Sequence, residues 1–385
     1  MTFALLTGLA LGCDPTPEKI AHWKETERGP GKLRETVVKG GLAPALRGQA
    51  LAALVELGMT SDALTDLGTL PPADRQAIIH DAVPRLAEVA KGSGIAGGAT
   101  TRAQREAKDA LFALRTDAAP ADRDAADAAL IEWTTADLAG RMSAGGKSSE
   151  QILIAIGPKT APRLVELMQP GSSQLVPAAS IFGKVADLDA RARAADALIG
   201  RLRQQGPRLD DASLQALGLV GGPRATAFLV ETAEHGNEAT REKALLALAQ
   251  GSLTGGDATT QAAALRIASD KSAPGKVREA AFQMLEKMPG SVPGLVALMK
   301  STEELVRWRS VEAALAAGKE KAVAPVLEGL NPTGKYKAED LDSYVVHDVV
   351  LVGPPAIAPL QSELASKNGV AAGVAKKALA QLQKH

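Results

Sequence analysis

The chain has 385 residues, with 44 basic and 44 acidic side chains and hence no net charge; 45% of it is apolar, yet only 3% is aromatic. The apolar fraction excludes a disordered chain, the length exceeds one ordinary compact core, and zero net charge argues against a surface built to hold a phosphate backbone. Ala and Leu dominate the apolar set. Both are strong helix formers, and small side chains let helices approach closely, so the expected fold class is all-α. No apolar run reaches the roughly 18 residues that a membrane-spanning helix needs.

Thr2 to Gly12 is uncharged and mostly small or apolar, and it leads into Leu9-Ala10-Leu11-Gly12-Cys13, which holds the one cysteine of the chain. This pattern resembles the lipobox that ends a bacterial lipoprotein signal peptide. The resemblance implies a signal peptide over 1–12 and a lipid on Cys13 as the first mature residue. Asp14 after it resembles an inner-membrane retention signal of some bacteria. Asp14-Pro15-Thr16-Pro17 cannot continue a helix, so residues 13–29 are expected to hold the anchor and a short helix over 17–27. No Lys or Arg precedes the apolar run. Read without the lipobox, the segment is an N-terminal helix with an inert buried thiol.

A pattern then recurs along the chain. LRGQALAALVELG at 46–58, ARARAADALIGRL at 190–202, TREKALLALAQG at 240–251, VREAAFQMLEKM at 277–288 and VRWRSVEAALAAG at 306–318 each carry Arg second, as Arg47, Arg191, Arg241, Arg278 and Arg307. Ala53-Leu54, Ala197-Leu198, Ala247-Leu248, Met284-Leu285 and Ala313-Ala314 follow at a constant offset. With Ala50, Ala194, Ala244 and Ala281 they form a stripe at helical spacing. Gly58, Gly251 and Gly318 read as helix stops. The recurring Arg is expected to bond loop carbonyls or a neighbouring acid. A second helix type begins at Gly157, Gly222, Gly318 and Gly353. Aligning Pro162, Phe228, Pro293, Pro325 and Pro359 gives spacings of 66, 65, 32 and 34, a period of 32–34 with two double steps.

A helix pair recurring at this period cannot bury its stripe alone and must stack. The expected architecture is an α-solenoid of stacked antiparallel helix pairs. The pattern resembles HEAT repeats, in particular the short Ala-rich type of bilin-lyase-like proteins, over about 150–383 and again at 43–58. HEAT-like repeats are accordingly expected over 30–92 and 149–385. Longer, divergent helices are expected over 93–148; the resemblance is poor from about 70 to 145, where the pattern reads as helices at 71–91, 101–116 and 121–141 with a joint at 91–101. The resemblance implies a superhelix whose second helices line a binding face, here exposing Arg163, Glu166, Glu231, Glu234, Glu328 and Gln361.

Residues that could carry chemistry do not converge. His22, His80, His235, His347 and His385 share no i, i+4 spacing and have no cysteine at ligand distance, so no metal site is expected. SAGGKSSE at 143–150 ends like a phosphate-binding loop, but Arg141 stands where a glycine belongs, and IEWTTADLAG before it reads as helix where the motif needs a strand. The arginines of 191–208 read as helix surface. One position is out of pattern. After the recurring Arg come Gly48, Ala192, Glu242 and Glu279, small or charged as an outward position should be; the fifth repeat has Trp308 there, between Arg307 and Arg309. Trp and Arg are enriched in interface hot spots. Trp308, Arg307 and Arg309 are therefore the candidate partner contact, and packing of Trp308 on a neighbouring repeat is the other reading.

The function expected from these features is a non-catalytic protein–protein interaction scaffold, lipid-anchored in a bacterial cell envelope at the inner or outer membrane. It would have a protein partner, membrane contact through the Cys13 lipid only, no nucleic acid, no small-molecule substrate, no cofactor and no catalytic residues. The alternatives are a cytosolic HEAT-repeat adaptor, or a lyase or DNA glycosylase of the HEAT-like kind. An aromatic-lined cleft for such an enzyme is hard to build from two Tyr, three Trp and five Phe.

Overall fold

The computed structural model describes residues 15–92, 100–143, 146–204, 209–251, 258–330 and 341–383. The segment 1–12, Cys13, most of the joint at 91–101 and His385 lie outside the described residues. The fold is all-α, with helices packed in neighbouring pairs as in a solenoid and no strand among the described residues. Two compact units divide the chain at Leu164 and Val165.

In the first unit the helices are α1 (Pro17–Trp23), α2 (Gly29–Val38), α3 (Pro44–Glu56), α4 (Thr60–Gly68), α5 (Pro72–Lys91), α6 (Arg102–Leu114), α7 (Pro120–Thr135), α8 (Leu138–Arg141) and α9 (Ser149–Ile156); α10 (Ala161–Leu167) spans the division. Pro44, Pro72 and Pro120 open α3, α5 and α7, where a first-turn amide has no intrahelical partner to lose. Capping boxes of Thr101 with Gln104 and Ser148 with Gln151 start α6 and α9. One row is α3, α5, α7 and α9; α2, α4 and α6 make a second row against it. Leu33, Leu51, Leu54, Ile78, Leu86, Leu111 and Leu130 are fully buried between the rows. Each such side chain contributes roughly 1.5–3 kcal/mol.

Two expected helices are shorter than their pattern. The helix expected over 121–141 is interrupted after Thr135. Thr134 and Thr135 donate back to the carbonyls of Leu130 and Ile131, and Asp137 then turns the chain and caps α8 through the Gly140 amide. Hydroxyl and carboxylate oxygens compete here with the helical ladder. The helix expected over 17–27 ends at Trp23, whose carbonyl accepts from the Thr26 amide and hydroxyl.

In the second unit the helices are α11 (Leu175–Val185), α12 (Leu188–Gln204), α13 (Asp211–Val220), α14 (Gly222–His235), α15 (Glu238–Gly251), α16 (Ala258–Ser269), α17 (Gly275–Leu285), α18 (Val292–Leu298), α19 (Glu304–Gly318), α20 (Glu320–Gly329), α21 (Val346–Leu351), α22 (Ile357–Glu363) and α23 (Gly369–Leu382). The odd-numbered helices pack in succession as one row, and the even-numbered ones as the other. First-row helices approach closely. A Cβ at Gly183 of α11 would strike the Leu219 carbonyl, and one at Gly218 of α13 the Ala247 carbonyl.

This arrangement corrects the grouping of ARARAADALIGRL with the other four Arg segments. That stretch is α12, which lies in the second row beside α14, whereas the other four are α3, α15, α17 and α19 of first rows. The pattern marks a helix that follows a tight turn. It does not mark a row, because its Arg reaches a carbonyl that precedes it in the chain.

All five arginines do this. Arg47 donates to Val37, Arg191 to Ala186 and Gly183, Arg241 to Ala233, Arg278 to Ala268, and Arg307 to Ser301 and Thr302. Each is the fourth residue of its helix. The same position holds Arg75 in α5, Arg105 in α6 and Arg123 in α7, which donate to the carbonyls of Leu70, Thr100 and Arg115. The divergent stretch thus carries the same anchor. Its signal was present as the tetrapeptide PADR, at 72–75 and again at 120–123.

Ion pairs between same-row neighbours repeat the period. Lys24 with Glu56, Arg34 with Asp66, Lys243 with Asp211 and Arg266 with Glu234 are all 32 residues apart. At four junctions the residue before the second-row helix has positive φ and extended ψ. Three are Gly157, Gly221 and Gly353, and the fourth is Lys319, at φ 49° and ψ −131°. Gly318, expected as the stop there, is the last helical residue instead, crowded by Ala322 and Val292.

Candidate functional site

The strongest concentration of unusual features lies on α19 and the segment it faces. The buried face of α19 carries Val306, Ser310, Val311, Ala314 and Leu315. Its other face carries Leu305, Trp308, Glu312, Ala316 and Lys319, spaced by three and four residues as one stripe. Opposite, a π-helical turn, Leu341–Val345, leads into α21. Tyr344, Asp348, Leu351 and Val352 form the matching stripe there. Between the two lies a cavity of about 490 Å³, lined by Glu312, Leu315, Ala316 and Lys319 of the α19 side and Asp348, Leu351 and Val352 of the α21 side.

Charge is unevenly balanced around this cavity. Arg309 donates to Glu279 of α17 at 2.9 and 2.7 Å, to Glu286 at 2.9 Å and to Glu312. Burial works against the Arg309 charge, but Glu312 and Glu279 outweigh it and hold its pKa above the ordinary value. Burial raises the Glu286 carboxyl against the pull of Arg309. Burial and then the charge of Glu312 push Asp348 up to about 6, against His347 and Arg309. Three carboxylates thus surround Arg309, and one of them, Glu312, lines the cavity together with Asp348 and Lys319. Lys319 also holds the one positive-φ backbone found outside glycine among the described residues. Strain of that kind gathers at functional sites.

The sequence-derived contact residues are placed as follows. Arg307 is buried and donates to the carbonyls of Ser301 and Thr302 at 3.2 and 3.1 Å. Arg309 is committed to the three carboxylates. Trp308 is half-buried, with its ring 5.1 Å from that of Tyr344. At Gly48 and Glu279 the position after the recurring Arg is not outward, as expected, but turned to the next first-row helix. Gly48 packs on Ile78 and Ala82 of α5, and Glu279 accepts from Arg309 of α19. Of the residues expected on a binding face, Glu166, Glu231, Glu328 and Gln361 are exposed, Glu234 pairs with Arg266, and Arg163 contacts Thr135. Asp348, Glu312 and Lys319 escaped the sequence reading, since nothing local couples 312 to 348.

Elsewhere the polar groups serve the architecture. In the 143–150 loop the Lys147 amide donates to Asp109, and the Lys147 carbonyl accepts from the buried Lys108 at 3.0 Å. The Ser148 hydroxyl caps α9. A carboxylate faces the amide that a phosphate would need. The Trp133 ring lies between the cations of Lys108 and Arg141, at 5.1 and 4.8 Å. His80 meets Asp122 at 2.9 Å. No group of three His, Cys, Asp or Glu able to hold a metal occurs among the described residues, and no described helix is long and apolar enough to cross a membrane.

No protein-family model matches this chain, and no curated protein matches it.

Proposed function

We propose that the protein is a non-catalytic protein–protein interaction scaffold of HEAT-like helix pairs, held on a bacterial membrane by a lipid on Cys13. The observation that carries the scaffold reading is the two-row stacking of helix pairs. It spends the apolar stripes and the anchoring arginines on architecture and leaves whole helix faces to solvent. Stacked pairs of this kind offer a long surface for recognition. The lipobox resemblance supports the anchor. One acyl chain holds a protein only marginally and several hold it stably, at about 0.8 kcal/mol for each buried methylene. At about 3 Å per extended residue, the few residues between Cys13 and α1 would keep the helices within roughly 15 Å of the bilayer.

The test is expression with the natural N-terminus in a bacterial host beside Cys13→Ser, with membrane fractionation and intact mass. The reading expects a membrane-bound wild type that begins at an acylated Cys13, and a variant that is not processed in this way. A soluble wild type that retains Met1 would remove the anchor and leave a cytosolic adaptor. Crosslinking in the cell then tests the scaffold itself. Discrete protein adducts are expected, and their absence from every exposed second-row helix would overturn it.

A further inference from the structure

We propose that the groove between α19 and α21 is the docking surface for a cationic amphipathic segment of the partner protein. Its apolar side chains would lie on Ala316, Leu351 and Val352, and its lysine or arginine would reach Glu312 and Asp348. This deepens the scaffold reading and rests on it.

Three observations lead to this occupant. Leu305, Tyr344 and Leu351 are 61%, 53% and 71% exposed and sit along the two facing stripes. Leu351 lines the cavity itself, with Val352 and Ala316 beside it, and an exposed large apolar side chain at a cavity marks a contact surface where one standing singly would not. The α19 stripe from Leu305 to Lys319 runs about 21 Å at 1.5 Å per residue, the length of a helical segment and more than a small molecule needs. Charge then selects the sign. Arg309 already divides its guanidinium among Glu279, Glu286 and Glu312. Asp348 and Glu312 line the same cavity, two carboxylates with Lys319 as its one basic lining residue.

A cation set between Glu312 and Asp348 relieves their repulsion and becomes a hydrogen-bonded ion pair shielded from water, the kind that contributes to recognition. An acidic segment or an anionic lipid surface would be repelled. The groups that face Asp348 are Glu312 and Arg309 from α19 and His347 on its own helix, with Lys319 in the same cavity. Protonation of Asp348 removes one of the two anions, so affinity should fall as the pH is lowered through about 6.

The experiment uses the full chain and a fluorescein-labelled peptide of about 14 residues, enough helix for about 21 Å, with leucines on one helical face and lysines flanking them. Two control peptides replace the lysines by glutamates or the leucines by serines. Fluorescence anisotropy should show binding of the lysine–leucine peptide alone. Asp348→Asn and Leu351→Ser should each weaken it by about fivefold or more, the loss that separates contributing interface residues from near-neutral ones. Leu188→Ser, at another exposed leucine of α12, should leave it unchanged, with all variants checked for helicity and melting temperature. Equal binding of the glutamate peptide, or wild-type affinity in both groove variants, overturns the inference. If crosslinkers in the cell capture a protein from Glu231 or Glu328 and none from Ala316, the groove inference falls while the scaffold stands. If no position captures a protein, both fall.

Discussion

Arg47 and Asp74 lie 27 residues apart in sequence and meet at 3.3 Å, while the Nε of Arg47 donates to the Val37 carbonyl at 2.9 Å. One guanidinium thus joins the end of α2 to the starts of α3 and α5. The second PADR tetrapeptide repeats half of this device, because Asp122 accepts from His80 of α5 where Asp74 accepts from Arg47 of α3. Arg278 joins the Ala268 carbonyl to Glu303 in the same manner in the second unit.

Arg47 is 4% exposed, so its removal leaves a carbonyl without its donor in a place water does not reach. Arg47→Ala is expected to cost about 1.5–3 kcal/mol, the range for hydrogen bonds to charged groups. Urea unfolding followed by the fluorescence of Trp133, in the same unit, measures it. Arg47→Lys should recover little, since an ammonium cannot serve the carbonyl and Asp74 with the same fork.

Lys319 adopts backbone angles that glycine supplies at the other three junctions. Lys319→Gly is expected to stabilise the second unit by about 1 kcal/mol, the relief of strain exceeding the entropy that glycine adds to the unfolded chain. Lys319→Val should destabilise it, because a β-branched residue tolerates positive φ worst. Paired denaturation curves decide the order.

His80 carries a raised pKa, first through its hydrogen bond to Asp122 and then through that carboxylate's charge. The folded protein holds this proton more tightly than the unfolded one. The contribution to stability is therefore complete below the unfolded value near 6.5 and fades as pH rises through the higher folded value. An NMR titration of the His80 ring should show the raised midpoint, and Asp122→Asn should return it to the ordinary range.

Asp348 has the opposite consequence for an acid. Its folded pKa of about 6 lies above the unfolded 3.8, so the contribution of this group to stability is most favourable below 3.8 and falls as pH climbs toward 6. Asp348→Asn should stabilise the protein at neutral pH by about 1 kcal/mol, once solvent screening of a half-exposed group is allowed for, and should flatten the pH profile. Melting temperatures across pH 4 to 7 test both.

Trp308 of α19 and Tyr344 of the turn before α21 form a tilted ring pair. Trp308→Ala is expected to lower stability by about 2 kcal/mol, the lost buried area adding to the ring pair, and Trp308→Phe by less, since aromatic pairs contribute about 0.5–1.5 kcal/mol beyond buried area. A thermal shift assay distinguishes the two.

What the sequence by itself determined is local. Ala and Leu at helical spacing, Pro in first turns, Gly at the junctions and an Arg that bonds carbonyls shortly before it all act within one helix and its neighbouring turn. They specified an all-α chain of stacked pairs, together with the residues that anchor each helix start. Only the tertiary structure decided what depends on distant segments. It put α12 in the second row despite its first-row pattern, turned Trp308 toward Tyr344 and Gly48 toward α5, gathered Glu279, Glu286 and Glu312 on Arg309, and set Glu312 and Asp348 at one cavity. Periodicity sets which face of a helix is apolar. Which neighbour that face meets, and the field its charged groups then share, comes from the stacking of one pair upon the next.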